Sequence, residues 1–289
     1  MSDDLFRILV PLDGSPEAEC VFPTLSPLLH ARTARVILFR VAESNESPVA
    51  AESYLSDVQK FLAKEGIQAE VKTSWGRAPV EILWQAHPSR CDLIAMTTHG
   101  RTGWRRLLLG SVAEAVLRQA EVPLLVNRPG MRVGNWRRLV VALDGSPLAE
   151  GILPEATRMA RLFGADLHLL KVVGPSILVG GAGEGVAPLP PEDPMPYLRS
   201  VAARPGFQGI RTVLVSREGP AGFEIARYAE EEKAGTVCVM THGRSGLGRL
   251  LMGSTTEDLF RLAPCAVFVR RAEKAAVPEK PVETIATSF

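Results

Sequence analysis

The chain has 289 residues, about twice the ~150 of a typical domain, which predicts two domains rather than one. Lys and Arg (33) almost cancel Asp and Glu (32), and 46% of the residues are hydrophobic, which excludes a wholly disordered chain and a general grip on nucleic-acid phosphates. Apolar stretches are strand-sized, far short of the roughly 20 residues of a membrane-spanning helix, and the acidic start MSDDLF does not read as a signal peptide; the expectation is a cytoplasmic protein with neither membrane nor nucleic acid as partner. In chain order, the first half reads as strands at 6–12, 35–41, 68–73, 92–98 and 122–128, with helices at 16–31, 50–65, 78–87 and 111–119. The second half reads as strands at 137–143, 166–173, 210–216, 236–241 and 265–271, with helices at 147–163, 191–203, 220–233 and 254–262. Strands alternating with helical crossovers predict parallel sheets, and the continuous apolar runs VILF, LIAM and LVVAL predict helices on both faces.

The two halves are copies. VPLDGSPEAE at 10–19 matches VALDGSPLAE at 141–150 at eight of ten positions, with an offset of 131. THGRTGWRRLLLGS at 98–111 matches THGRSGLGRLLMGS at 241–254 at ten of fourteen, with an offset of 143. The extra 12 residues fall within GPSILVGGAGEGVAPLPPEDPMP, whose Gly and Pro oppose a regular element. Residues 180–196 of that insertion are a candidate lid or obstruction. Domains are expected at 1–130 and 136–272, followed by a tail at 273–289 that is either a loose extension or an arm to a second chain.

In an open parallel sheet, ligands bind beyond the carboxyl ends of the strands, where the strand order reverses. Asp13 and Asp144 follow the first strand of each half. Each opens an Asp-Gly-Ser-Pro turn that either caps the next helix through Ser15 or Ser146, or offers a carboxylate to ribose hydroxyls or a cation. After the fourth strand comes Thr-His-Gly-Arg, and then Gly110-Ser111 or Gly253-Ser254 at a helix start. Nine residues separate Gly100 from Gly110 and Gly243 from Gly253. Glycines admit a polyphosphate close to the backbone, and the helix N-terminus adds N–H donors and a Ser hydroxyl. Arg101 and Arg244 add charge-assisted bonds. The competing reading is a glycine-rich connection with a Ser at the helix start. No Gly-x4-Gly-Lys-Ser/Thr loop or Gly-x-Ser-x-Gly elbow is present, and His99 and His242 have no second base or nucleophile beside them in sequence. Cys20, Cys91, Cys238 and Cys265 lack metal-ligand spacing and read as reduced thiols.

LDGS after the first strand and T-H-G-R-x-G-x6-G-S after the fourth resemble the universal stress protein family, here as a tandem. The resemblance covers 5–128 and 136–271. It implies an α/β fold of two doubly wound five-stranded parallel sheets with strand order 3-2-1-4-5, paired through their last strands into a pseudo-dimer within one chain. A further homo-oligomer, a dimer of chains, is also implied. It further implies binding of an adenine nucleotide, ATP with ADP or AMP as alternatives, and Mg2+ as an accompanying cation. The implied residues are Pro11, Asp13, Ser15, Val41, Met96, His99, Gly100, Arg101, Gly110, Ser111 and Val112 in the first half. In the second they are Asp144, Ser146, Val172, His242, Gly243, Arg244, Gly253, Ser254 and Thr255. One position departs from the ATP-binding pattern: its first loop glycine is Thr97 in one half and Met240 in the other, which favours the first site. Three functional classes remain open: an ATP-binding stress-response sensor or regulator, a partner-binding scaffold without nucleotide, and a slow ATPase.

Overall fold

The structure is a computed structural model and describes residues 6–30, 34–42, 47–87, 90–98, 109–174, 193–241 and 253–272. The first half runs β1 (Phe6–Pro11), α1 (Pro16–Glu19), α2 (Val21–Leu29), β2 (Ala34–Ala42), α3 (Pro48–Lys64), β3 (Ala69–Trp75), α4 (Ala78–Gln85), β4 (Leu93–Thr97), α5 (Ser111–Gln119) and β5 (Leu124–Asn127). The second runs β6 (Asn135–Ala142), a 3-10 turn (Ala149–Ile152), α6 (Leu153–Phe163), β7 (Asp166–Val173), α7 (Met195–Ala202), β8 (Thr212–Glu218), α8 (Ala221–Glu231), β9 (Ala234–Thr241), α9 (Ser254–Leu262) and β10 (Ala266–Arg271).

Where one helix over 16–31 is expected, two stand, broken at Cys20. Pro23 explains the break, because it has no N–H to offer the carbonyl of Glu19 and its ring clashes with that oxygen. Pro154 stands at the same place of the repeat, and there the expected helix over 147–163 starts as a 3-10 turn before α6. The Gly/Pro-rich insertion lies outside the described residues up to 192, and α7 begins only at Met195.

Alternation along the strands builds two cores. Ile8, Val10, Leu38, Leu139 and Leu167 face α2, α3, α6 and α7, while Leu9, Ile37, Ile94, Val140 and Val237 face α4, α5, α8 and α9. Each fully buried Leu or Ile contributes roughly 2–3 kcal/mol relative to exposure.

The strand order is β3-β2-β1-β4-β5-β10-β9-β6-β7-β8, a single ten-stranded sheet among the described residues. Each half therefore keeps the order 3-2-1-4-5, and the two sheets are fused rather than stacked. The seam is antiparallel, with Leu124, Leu125 and Val126 opposite Val269, Phe268 and Val267. Arg128, just after β5, donates from Nη2 to the Ala263 carbonyl at the end of α9 (2.8 Å), and Arg271 donates from Nη1 to the Arg118 carbonyl in the last turn of α5 (2.8 Å). These arginines occupy equivalent positions of the repeat, so the seam has the reciprocal character of a two-fold dimer interface inside one chain.

Candidate functional site

β1 pairs with β2 on one side and β4 on the other, so the chain order reverses at β1 and a crevice opens at its carboxyl end. Leu12 N–H donates to the Phe39 carbonyl (2.8 Å) and extends the ladder one residue past β1, which fixes Asp13 at the crevice. Asp13 Oδ1 accepts from the Ser15 N–H (3.0 Å) and hydroxyl (2.5 Å), while Ser15 Oγ accepts from Ala18 N–H (3.2 Å) and caps α1. Capping and presentation of the carboxyl group are thus one arrangement. Opposite, Gly110 N–H donates to the Thr98 carbonyl (2.5 Å), closing the base of the intervening loop, and Gly110 in turn starts α5. The first N–H groups of α5 have no partner within the helix and carry its positive end.

Between these parts lies a cavity of about 340 Å³, lined in part by Pro11, Asp13, Val41, Met96, Gly110, Ser111 and Val112. That size falls at the lower end of small-molecule sites. Seven of the residues inferred for the first half therefore converge, with Ser15 buried beneath them. His99, Gly100 and Arg101 lie outside the described residues, as do His242, Gly243 and Arg244. In the second half Asp144 accepts from Ser146 N–H (2.8 Å), Ser146 Oγ accepts from Ala149 N–H (3.1 Å), Val172 sits near the end of β7, and Gly253, Ser254 and Thr255 start α9.

Thr97 lines the first cavity. Met240, its counterpart, instead packs into the core beneath α6, its Cε about 3.0 Å from where a Cβ on Gly151 would sit. Its bulk is thereby spent on the 3-10 turn, on the sheet face opposite Val239.

Sequence reasoning missed part of the wall. Gly76, Ala78 and Ile82 line the cavity together with Phe39. The signal was present: Gly76-x-Ala78-x-x-Glu81-Ile82 recurs as Gly219-x-Ala221-x-x-Glu224-Ile225, again with an offset of 143. It also missed Arg40, which is buried on the far side of the turn holding Asp13. The Tyr54 ring lies 5.0 Å from the Arg40 guanidinium, and its hydroxyl donates to Glu19 Oε1 (2.8 Å). Burial, and then the Glu19 carboxylate, push the Tyr54 hydroxyl well above its ordinary pKa. The cysteines are free, and burial raises Cys91 to about 11 and Cys265 to about 12, as for inert thiols. Among the described residues, no group of three or more His, Cys, Asp or Glu side chains converges, and no helix is long and apolar enough to cross a membrane.

The family model described as "Universal stress protein family" matches residues 5–128 and again 135–271. A universal stress protein of Methanocaldococcus jannaschii is 29% identical over 143 residues, covering 48% of this chain and 84% of that protein. Universal stress protein YxiE of Bacillus subtilis is 22% identical over 147 residues, covering 47% of this chain and 99% of its own length. The crystal structure of a universal stress protein from Archaeoglobus fulgidus superposes with a TM-score of 0.73 at 24% identity, covering 94% of this chain and 99% of that one, and so shares the fold. The chain belongs to the universal stress protein family, as two copies of the domain in tandem.

Proposed function

We propose that the first half binds an adenine nucleotide, ATP before ADP or AMP, and that the chain acts in the cytoplasm as a nucleotide-dependent sensor or regulator in the stress response. The observation that carries this reading is the cavity at the reversal point, where Asp13 and the start of α5 face one space walled by Val41, Phe39 and Met96. Apolar walls suit a purine, the carboxylate suits ribose hydroxyls, and the free N–H groups of α5 suit phosphate oxygens. Mg2+ would be held through nucleotide phosphates and water, as is usual for that ion, with Asp13 the nearest carboxylate of the cavity wall. The second half is the weaker site.

The test is calorimetric titration with ATP. Gly110→Trp fills the first cavity and is expected to weaken ATP binding by about tenfold or more, ~1.4 kcal/mol, while Gly253→Trp changes it little. Equal losses from the two variants overturn the assignment to the first half. A wild-type protein that takes up no nucleotide overturns the reading itself and leaves the scaffold, and ADP accumulating with turnover makes it a slow hydrolase.

A further inference from the structure

Both halves place a cation behind the Asp-Gly-Ser turn, buried in the first and half-buried in the second. Arg40 lies on β2, next to Val41 but on the opposite sheet face, and is 4% exposed. Its Nη1 sits only 2.2 Å from where a Cβ on Gly14 would be. Gly14 has φ +81° and carries the chain from Asp13 to Ser15, so the guanidinium is pressed against the turn that presents Asp13. A buried guanidinium is costly unless opposite charge and directional partners surround it. Tyr54 stacks on it, Glu19 binds the Tyr54 hydroxyl, and Tyr54 feels the charges of Glu19, Arg40 and Asp13 together.

The same cluster recurs in the repeat. Lys171 Nζ is 5.1 Å from the Tyr197 ring and 3.0 Å from where a Cβ on Gly145 would be, with Glu150 and Asp144 acting on Tyr197. Asp13, Gly14, Glu19 and Arg40 map onto Asp144, Gly145, Glu150 and Lys171 at an offset of 131, and Tyr54 onto Tyr197 at 143. Retention of a cation, a Tyr and a Glu behind both turns marks a device belonging to the turn rather than to general packing.

We infer that Arg40 is a positioning residue of the nucleotide site. Pressed against Gly14 and held by Tyr54 and Glu19, it fixes the turn so that the Asp13 carboxylate meets the ribose hydroxyls. The inference rests on the reading of the first cavity as a nucleotide site. Arg40 does not line the cavity, so its effect on a ligand runs through the turn at Gly14.

The probes are ATP and 2′,3′-dideoxy-ATP, which lacks the hydroxyls Asp13 would bind, titrated into the full chain. Wild-type protein is expected to prefer ATP by about tenfold. Arg40→Met abolishes most of that preference and leaves dideoxy-ATP binding near wild type, and Arg40→Lys, the shorter cation of the second half, keeps part of it. Tyr54→Phe, which removes only the hydroxyl held by Glu19, lowers the preference severalfold and serves if the Met variant fails to fold. Hydrogen exchange of the Ser15 amide without nucleotide is faster in both Arg40→Met and Tyr54→Phe. Undiminished preference and unchanged Ser15 exchange in these variants overturn the inference. If wild-type protein binds neither nucleotide, the nucleotide reading fails, and the exchange measurement alone decides whether Arg40 holds the turn.

Discussion

The two halves carry nearly the same motifs but differ in what stands behind them. In the first, Asp13 is half-buried, Arg40 fills the space under Gly14, and Tyr54 is hydrogen-bonded to Glu19. In the second, Asp144 is exposed, the shorter-reaching Lys171 replaces Arg40, and Glu150 forms an ion pair with Arg204 (2.9 Å). The buried Tyr197 hydroxyl makes no hydrogen bond of normal geometry among the described residues, and burial and then the Glu150 charge raise its pKa. A site works only when its supporting residues hold the contacting ones in place. Both copies keep the Asp-Gly-Ser turn and the Gly-Ser helix start, while the residues behind the turn differ in the second.

The largest effect on stability is expected where the halves differ in backbone approach at the start of the fourth strand. In the second half Gly235 lies so close to β6 that a Cβ would meet Trp136 Cα at 2.6 Å, beside the irregular pairing between Asn135 and Leu139. In the first half the equivalent residue is Asp92, whose carboxylate accepts from Arg7 N–H (2.8 Å) and pairs with Arg158 (2.9 Å). Gly235→Ala forces backbone apart and is expected to cost about 2–3 kcal/mol, whereas Asp92→Ala gives up exposed polar contacts for about 1 kcal/mol. Urea unfolding midpoints at constant slope measure both. A smaller loss from Gly235→Ala than from Asp92→Ala would show that β6 and β9 can separate without penalty.

Acid should separate the halves next. Ile37 of the first half is replaced by His168 in the second, buried beneath α8 with Nδ1 2.7 Å from the Tyr228 hydroxyl. Burial holds the His168 imidazole below its ordinary pKa, Glu232 and Asp166 oppose the shift, and Arg138 and Arg211 reinforce it. Burial also pushes Tyr228 up to about 12. Because the folded pKa is depressed, the unfolded chain takes up the proton first, at about pH 6.5. The contribution of neutral His168 is therefore complete above that pH and is lost as pH falls toward the folded value, at up to ~1.4 kcal/mol per pH unit. His168→Ile should flatten stability between pH 6.5 and 5, whatever it costs at neutral pH. An acid limb of unchanged slope in that variant would assign the loss to other groups.

Much of this was legible in the sequence, for identifiable reasons. Strand positions came from β-branched runs between Gly and Pro punctuation, and α5 and α9 were placed to the residue by Gly110-Ser111 and Gly253-Ser254 at their starts. The split of the helix after β1 was missed because the helical span was read from 16, which puts Pro23 in its interior, where a proline opposes a continuous helix. The turn, strand-end and helix-start residues that line the first cavity were legible because they sit in contiguous motifs. Arg40 and Tyr54 were not, since they lie on β2 and α3, Arg40 on the sheet face opposite its neighbour Val41, and only folding brings them behind Gly14. The second Gly-x-Ala-x-x-Glu-Ile repeat was available and unused, because its role depends on β3 ending beside β2, with Trp75 opposite Ala42.

The smallest effect should come from the seam, where the halves are most alike. Arg128 and Arg271 each cross to the carbonyl end of the other half's last helix, where a cation also meets the negative end of the helix dipole. Burial lowers the pKa of Arg128, but the guanidinium stays charged in any ordinary buffer. Replacing either arginine with Met keeps the aliphatic stem and removes one charge-assisted bond, so each change should cost about 1 kcal/mol, and the two costs should agree closely. The apolar pairs around Leu125 and Phe268, both buried, keep the ten-stranded sheet joined in either variant. In the double variant the two losses should add, since each arginine serves a different helix. Unequal costs, or a double variant much worse than the sum, would show that the seam is not reciprocal and that one arginine holds both halves in register.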